Sequence, residues 1–162
     1  MKHTVFLLVL VTMTLFACES KPIEEQAKDF SLSMVEFYFT GDCLAYVASF
    51  SDTLIVMDGD GTLLKRELDR DQFCRTFDKA VNDKTKSFDD YIESYKVELK
   101  SYAQLDGEEL MMLPNYYQPK DDDFFFNGFV PKEGVADFIW DDMFIFMVRK
   151  ENGDWKLKGV SG

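Results

Sequence analysis

The sequence predicts an α+β domain in which three N-terminal helices pack on a curved antiparallel sheet. Two patterns support this prediction. In the first half of the chain, apolar residues recur every three or four positions, the period of a helix with one buried face. From residue 95 onward they alternate with polar residues, the period of a half-buried strand. The 162 residues, 46% of them hydrophobic, suffice for one such domain and its core.

The first predicted helix follows Pro22, which suits a first helical turn. Gly41 ends this helix and Asp42 caps the next one. Glycine readily adopts the left-handed conformation of a helix end, and aspartate accepts hydrogen bonds from free N–H groups. The apolar residues of the first helix lie on one stripe that faces the core: Ile23, Ala27, Phe30, Met34 and Phe37.

A short second helix is expected from residue 43 to about residue 50, with Leu44 and Val47 on its buried side. The apolar run at residues 54–57 predicts a strand, and the Asp-Gly-Asp-Gly sequence at residues 58–61 predicts a tight hairpin after it. We expect this strand to have antiparallel neighbours.

A third helix begins after Asp69, which has the form of a capping box with Gln72, and ends near Asn82. No helix is expected among the strands that follow. Residues 152–153, Asn-Gly, predict a short hairpin, and the acidic pair at residues 141–142 predicts a bulge. The expected strands are residues 95–105, 109–113, 124–130, 136–150 and 155–160.

Residues 1–17 have the pattern of a secretion signal, with a basic start and an apolar run too short to span a bilayer. Within it, Leu15-Phe16-Ala17-Cys18 resembles the bacterial lipoprotein cleavage box, which implies that Cys18 becomes the lipid-modified first residue. Residues 18–22 would then be a lipidated tether, and residues 23–162 a domain in the cell envelope, at the outer membrane and facing the periplasm or the cell surface. An ordinary signal peptide cut nearby, with Cys18 free, is the alternative.

The chain is strongly acidic, with a net charge of −12. This charge repels phosphate backbones and anionic head groups, so nucleic-acid binding is disfavoured and membrane attachment would come from the acyl chains. The acidic runs at residues 121–123 and 141–142 lack a full calcium-loop pattern and are expected to be solvated. The one histidine lies in the predicted signal, so neither a metal site nor a cofactor is expected.

Beyond Cys18, two cysteines remain: Cys43 and Cys74. A disulfide between them is possible outside the cytoplasmic membrane. Both lie on predicted helices, where a cysteine often simply packs, so the spacing leaves the pairing open.

Several motifs follow one another in the order of a known superfamily: Gly41-Asp42 between two helices, Ser49-Phe50-Ser51-Asp52 before a strand, an Asp-Gly-rich hairpin and a terminal Glu-Asn-Gly-Asp-Trp. This order resembles the nuclear transport factor 2-like, or SnoaL-like, superfamily. The resemblance implies a cystatin-like cone with an internal pocket, whose candidate lining residues here are Met34, Tyr38, Tyr46, Phe50 and Asp58. Phe124, Phe125 and Phe126 place aromatic side chains on both faces of one predicted strand, so the outer face of the sheet is also expected to pack against something. The resemblance implies a possible homodimer through this outer face. The alternative is packing under a terminus or loop of the same chain.

Within this superfamily, the catalytic residues of ketosteroid isomerase can be compared with this sequence position by position. The position of its catalytic base corresponds to Asp58, but its oxyanion-stabilising tyrosine corresponds to Met34. Tyr38, one helical turn further on, is the candidate substitute. An aspartate that opens an Asp-Gly-Asp-Gly hairpin is also explained by turn chemistry.

Residues 54–62 also resemble the first motif of haloacid-dehalogenase-like phosphatases, a hydrophobic strand followed by Asp-x-Asp-Gly-Thr. Asp58 would then be the nucleophile and Asp60 the acid-base. That chemistry needs parallel strands alternating with helices, which the second half of the chain does not show.

These observations favour a lipid-anchored module that binds a protein partner or a small apolar ligand. The alternatives are an isomerase- or dehydratase-type enzyme that uses Asp58 as its base and, less favoured, the phosphatase.

Overall fold

The computed structural model describes residues 21–56, 61–82, 88–89, 95–111, 113–131 and 145–161. Within these ranges the helices are α1 (Ile23–Thr40), α2 (Cys43–Ala48), α3 (Arg70–Asn82) and the short α4 (Gly107–Met111). The strands are β1 (Phe50–Val56), β2 (Gly61–Leu64), β3 (Tyr95–Ser101), β4 (Asp123–Pro131), β5 (Ile145–Glu151) and β6 (Asp154–Ser161).

The strands form one six-stranded sheet in the order β2-β1-β6-β5-β4-β3. Helices α1, α2 and α3 contribute to a core on one face of this sheet, which confirms the α+β prediction. The sheet is mixed rather than wholly antiparallel, because β1 pairs in parallel with β6 while its other neighbour, β2, is antiparallel. The expectation of antiparallel neighbours for β1 is therefore wrong on one side. A parallel pair needs a long connection, and the chain between β1 and β6 provides it.

The residues predicted to end or cap helices, and the Asn-Gly pair predicted to form a hairpin, have the expected conformations and hydrogen bonds. Gly41 ends α1 with φ of 78°, and the carboxylates of Asp42 and Asp69 accept hydrogen bonds from the first turns of α2 and α3 at 3.0 and 2.9 Å. Asn152 and Gly153 both have positive φ, 54° and 94°, in the hairpin between β5 and β6.

Helix α2 is shorter than predicted, and its buried side includes Val47 as expected but not Leu44. It ends at Ala48, because the carbonyl of Ser49 accepts a hydrogen bond from Leu157 N at 2.8 Å and the chain enters the sheet as β1. Leu44 is 72% exposed rather than buried, and the buried side of α2 consists of Cys43, Tyr46 and Val47.

The predicted strand at residues 109–113 is wrong, since Gly107–Met111 form α4 between β3 and β4. The cause is a local cap. The Asp106 carboxylate accepts hydrogen bonds from Glu108 N and Glu109 N, both at 2.9 Å, and the Glu109 carboxylate accepts one from Asp106 N at 2.9 Å. This reciprocal pattern begins a helix.

Strand β3 ends at Ser101 instead of continuing to residue 105. Residues 102–111 and 113–122, which we call the strap, follow β3 on the face of the sheet opposite the three N-terminal helices. Strap residues pack there on a cluster of Ile55, Phe125 and Met147; they are Tyr102, Leu105, Leu113 and Tyr117. The sheet therefore has an apolar layer on both faces.

The described ranges contain no helix with both the length and the apolar character needed to cross a bilayer. Cys18, Asp58, Asp60 and the acidic pair at residues 141–142 lie outside the described residues, as does the predicted strand at 136–150 before Ile145.

Candidate functional site

Four of the five predicted pocket residues belong to one apolar cluster between the helices and the sheet. Met34 on α1 is fully buried, and Tyr46 on α2 and Phe50 on β1 are 7% and 3% exposed. Tyr38 packs against the same cluster from α1. The fifth residue, Asp58, lies outside the described residues. The sequence thus identified residues that meet in space.

Aromatic rings are in contact where these residues meet. Tyr46 lies 5.3 Å from Phe50, 6.4 Å from Phe73 and 5.1 Å from Phe77, measured between ring centroids. Phe73 is 6.0 Å from both Phe50 and Phe77, and Tyr38 meets Phe77 edge-on at 5.0 Å. Aromatic rings in direct contact have centroids about 4.5–7 Å apart, so no ring-sized ligand fits between these pairs.

Burial of Tyr46 raises the pKa of its phenol, and Tyr38 nearby adds to the rise. The charged form of a buried phenol is disfavoured because it loses hydration. Tyr46 therefore stays neutral at physiological pH, which suits a core residue that carries a hydroxyl group.

The arrangement differs from that of a ketosteroid isomerase at one defined point. Met34, which stands where the resemblance places the oxyanion-stabilising tyrosine, is fully buried and has no hydrogen-bonding hydroxyl. Tyr38, the candidate substitute, has its ring against Phe77.

On the opposite face of the sheet, a buried ionic network holds the end of the strap. Asp123 on β4 is fully buried and accepts hydrogen bonds from Arg149 on β5, with Arg149 Nε on one carboxylate oxygen and Nη2 on the other, the latter at 2.7 Å. The hydroxyl of Tyr117 also donates to Asp123, as does Lys120 N at 2.8 Å. Such a bidentate pair with further donors satisfies a carboxylate that would be costly to bury alone.

The expectation that residues 121–123 are solvated is therefore wrong for Asp123. Asp123, the last residue of the acidic run, belongs to β4. Arg149 is its direct partner in the β4–β5 register. Burial and the bond to Asp123 raise the pKa of Tyr117. Among the described residues, no group of three or more His, Cys, Asp or Glu side chains is placed to hold a metal.

A groove of about 230 Å³ lies on the outside of the helical layer. Its walls come from α2, from the turn after β2 and from α3, and its lining residues are Leu44, Val47, Ala48, Lys65, Arg70 and Cys74. The Lys65 ammonium donates to two carbonyl oxygens, Ala48 O at the end of α2 at 2.9 Å and Phe50 O at the start of β1 at 3.1 Å.

A disulfide joins Cys43 on α2 to Cys74 on α3, with their Cα atoms 5.6 Å apart. The pairing that the sequence left open is thus made in the structure. Because Cys74 also lines the groove, the disulfide fixes the spacing of the two helices that form its walls.

Sequence reasoning missed the groove and the ionic network for the same reason. Lys65, Arg70 and Arg149 are scattered cations in an acidic chain, and no local pattern marks them. The one available signal was Asp123 directly before an apolar strand, whose alternation places it on the same face as Phe125.

No protein-family model matches this chain, and no curated protein matches it either. The solved structures that are similar to this chain include the following two. A domain of unknown function with a cystatin-like fold from Nostoc punctiforme is 14% identical, with a TM-score of 0.40 over 88% of this chain and 77% of that one. A putative calcium/calmodulin-dependent protein kinase II association domain from Xanthomonas campestris is 13% identical, with a TM-score of 0.39 over 85% of each chain.

Proposed function

We propose that this chain is a lipid-anchored domain of the bacterial cell envelope that binds a partner protein through its helical side. The observation that carries the proposal is the set of ring contacts in the core: Tyr46, Phe50, Phe73 and Phe77 lie in direct contact, with no ring-sized gap between the contacting pairs. A domain whose interior is its own hydrophobic core interacts through its surface.

The helical side is the better candidate surface. The strap covers the cluster of Ile55, Phe125 and Met147 on the other face, so a homodimer through that face would have to form over the strap. On the helical side, Leu44 is 72% exposed beside the groove. Leu44 also lines the groove, so a partner seated there would bury this leucine together with the rest of the apolar lining.

The envelope location rests on the Leu15-to-Cys18 pattern and gains support from the Cys43–Cys74 disulfide, because structural disulfides persist in oxidising compartments. Mass spectrometry of the mature N-terminus tests the anchor: we expect a diacylated or triacylated Cys18. An unmodified N-terminal residue at another position would overturn lipid anchoring.

Site-specific photo-cross-linking in living cells tests partner binding. A photoreactive benzoylphenylalanine at Leu44 should give discrete protein adducts. The matched control is the same residue at Met111, which is 79% exposed but lies on α4 in the strap. Adducts of equal yield at both positions, or none at either, would contradict binding through the helical side.

A further inference from the structure

The groove beside the disulfide combines an apolar floor with unpaired positive charge. Leu44, Val47, Ala48 and Cys74 supply the apolar part of its lining, and Lys65 and Arg70 supply the cations. Among the described residues Arg70 has no ion-pair partner, and two of the three Lys65 ammonium protons are used by Ala48 O and Phe50 O. One Lys65 proton and the Arg70 guanidinium remain for a ligand.

Two cations lie near Lys65 although the chain as a whole is acidic. Burial lowers the pKa of Lys65, the neighbouring Lys156 lowers it further, Asp52 raises it and Arg70 lowers it. The Asp69 carboxylate is already held by Gln72 N at the start of α3. A bound anion would therefore relieve repulsion among the cations that face the groove.

The size of the groove limits what can occupy it. Pockets for drug-sized ligands are about 300–1,000 Å³, and this one is about 230 Å³, which suits a single residue. Its occupant must bring an apolar group and an anionic group within one residue's length. In a polypeptide, a C-terminal residue with an apolar side chain meets both conditions.

We propose that this groove binds the C-terminal residue of a partner polypeptide, with the apolar side chain between Leu44 and Val47 and the terminal carboxylate between Lys65 and Arg70. This inference rests on the proposed function and names the partner's contact chemistry. Recognition of a terminal carboxylate is one of the recurring modes of peptide binding. The Cys43–Cys74 disulfide keeps α2 and α3 at the spacing the groove requires.

The direct test is a binding titration with N-acetyl-L-leucine, monitored by ligand-observed NMR. The protein is the full lipid-modified chain in phosphatidylcholine nanodiscs, and empty nanodiscs serve as the blank. N-acetyl-L-leucinamide, which lacks the carboxylate, should bind at least about five-fold more weakly. This factor corresponds to the free energy that a partly exposed charge pair contributes. Arg70→Gln should weaken binding of the acid about as much and leave binding of the amide unchanged. Arg75→Gln, on an exposed residue of α3 outside the groove, should change neither.

Equal binding of acid and amide, or an Arg70→Gln variant that binds the acid as well as the unsubstituted chain, would overturn the assignment. Tighter Arg70-dependent binding of decanoate than of N-acetyl-L-leucine would identify a fatty acid as the occupant and overturn the peptide assignment. Cross-linking from Leu44 separates this inference from the proposed function. Adducts that persist in Arg70→Gln would mean that the partner binds the helical side without using the groove, so only the groove assignment would fail.

Discussion

The buried carboxylate of Asp123 links the strap to the sheet. Its carboxylate accepts two hydrogen bonds from Arg149, one from Tyr117 and one from Lys120 N. Arg149 in turn donates to Gln118 O at 3.2 Å. Tyr117 and Lys120 belong to the strap and Arg149 to the sheet, so this one residue ties the strap to the strands it covers.

Replacing Tyr117 by phenylalanine should destabilise the protein by about 1.5–3 kcal/mol at neutral pH, because a charged acceptor loses one of its donors. It should also change the alkaline response. The folded-state pKa of Tyr117 is raised above the value of about 10 for an unfolded chain, so its contribution is complete below pH 10 and is lost as the pH rises above it, at up to about 1.4 kcal/mol per pH unit.

Urea unfolding between pH 8 and pH 11 measures both effects of Tyr117→Phe. We expect a lower free energy of unfolding at pH 8 and a shallower decline above pH 10 than in the unsubstituted chain. An identical decline in both proteins would show that Tyr117 is not held in its neutral form by the fold.

Gly159 is a position where a larger side chain should destabilise the fold. It lies on β6 between β1 and β5, and a Cβ atom added there would be 3.2 Å from Met147 Cβ and 3.5 Å from Ile55 O. Gly159→Ala should therefore cost about 1–3 kcal/mol in the free energy of unfolding, the usual range for overpacking. The matched control is Gly61→Ala, where nothing lies within 4 Å of the added carbon. Equal effects of the two substitutions in chemical denaturation would contradict this packing.

At the scale of elements, the disulfide links the two helices that flank the groove. It closes a segment with a sequence separation of 31 between Cys43 and Cys74. The chain-entropy relation gives a contribution of about 3–4 kcal/mol for a loop of this length.

The double variant Cys43→Ala, Cys74→Ala should lose about that much stability in urea unfolding under non-reducing conditions. The unsubstituted chain, measured with a strong reductant, should lose a similar amount. A variant as stable as the oxidised chain would show that the disulfide does not hold α2 and α3 together.

Most elements were predictable because their signals are local. Gly41, Asp42 and Asp69 mark helix ends through their own backbone and side-chain chemistry, and Asn152-Gly153 marks a hairpin in the same way. Element α4 was missed although its Asp106-to-Glu109 cap is also local, because the apolar run that follows resembles a strand.

The remaining differences come from contacts between distant segments. The early end of α2 depends on Leu157 N bonding to Ser49 O, and the parallel pairing of β1 with β6 joins residues about a hundred positions apart. Whether a cavity remains in the core likewise depends on how rings from α1, α2, β1 and α3 meet. Periodicity predicts which face each ring occupies but not whether a space remains between them.

At the scale of the whole molecule, both faces of the sheet carry apolar clusters that the chain itself covers. The three N-terminal helices cover one face, and strap residues pack on the other. The groove and the exposed Leu44 lie on the outside of the helical layer. We therefore propose that the core holds no ligand and that binding takes place on this outer surface.

The most direct test of that proposal is a thermal-shift measurement of the full chain with small apolar probes, benzene and indole, compared with a Phe77→Ala variant. The unsubstituted chain should show no rise in melting temperature, because the rings of Tyr38, Tyr46 and Phe73 already meet around the buried Phe77. Phe77→Ala should lose about 3–5 kcal/mol of stability and melt at a lower temperature. Its melting temperature should then rise when a probe is added, since an apolar cavity of ring size binds such probes. A clear rise in the unsubstituted chain that is abolished by Tyr46→Trp would show an open internal pocket and contradict the account.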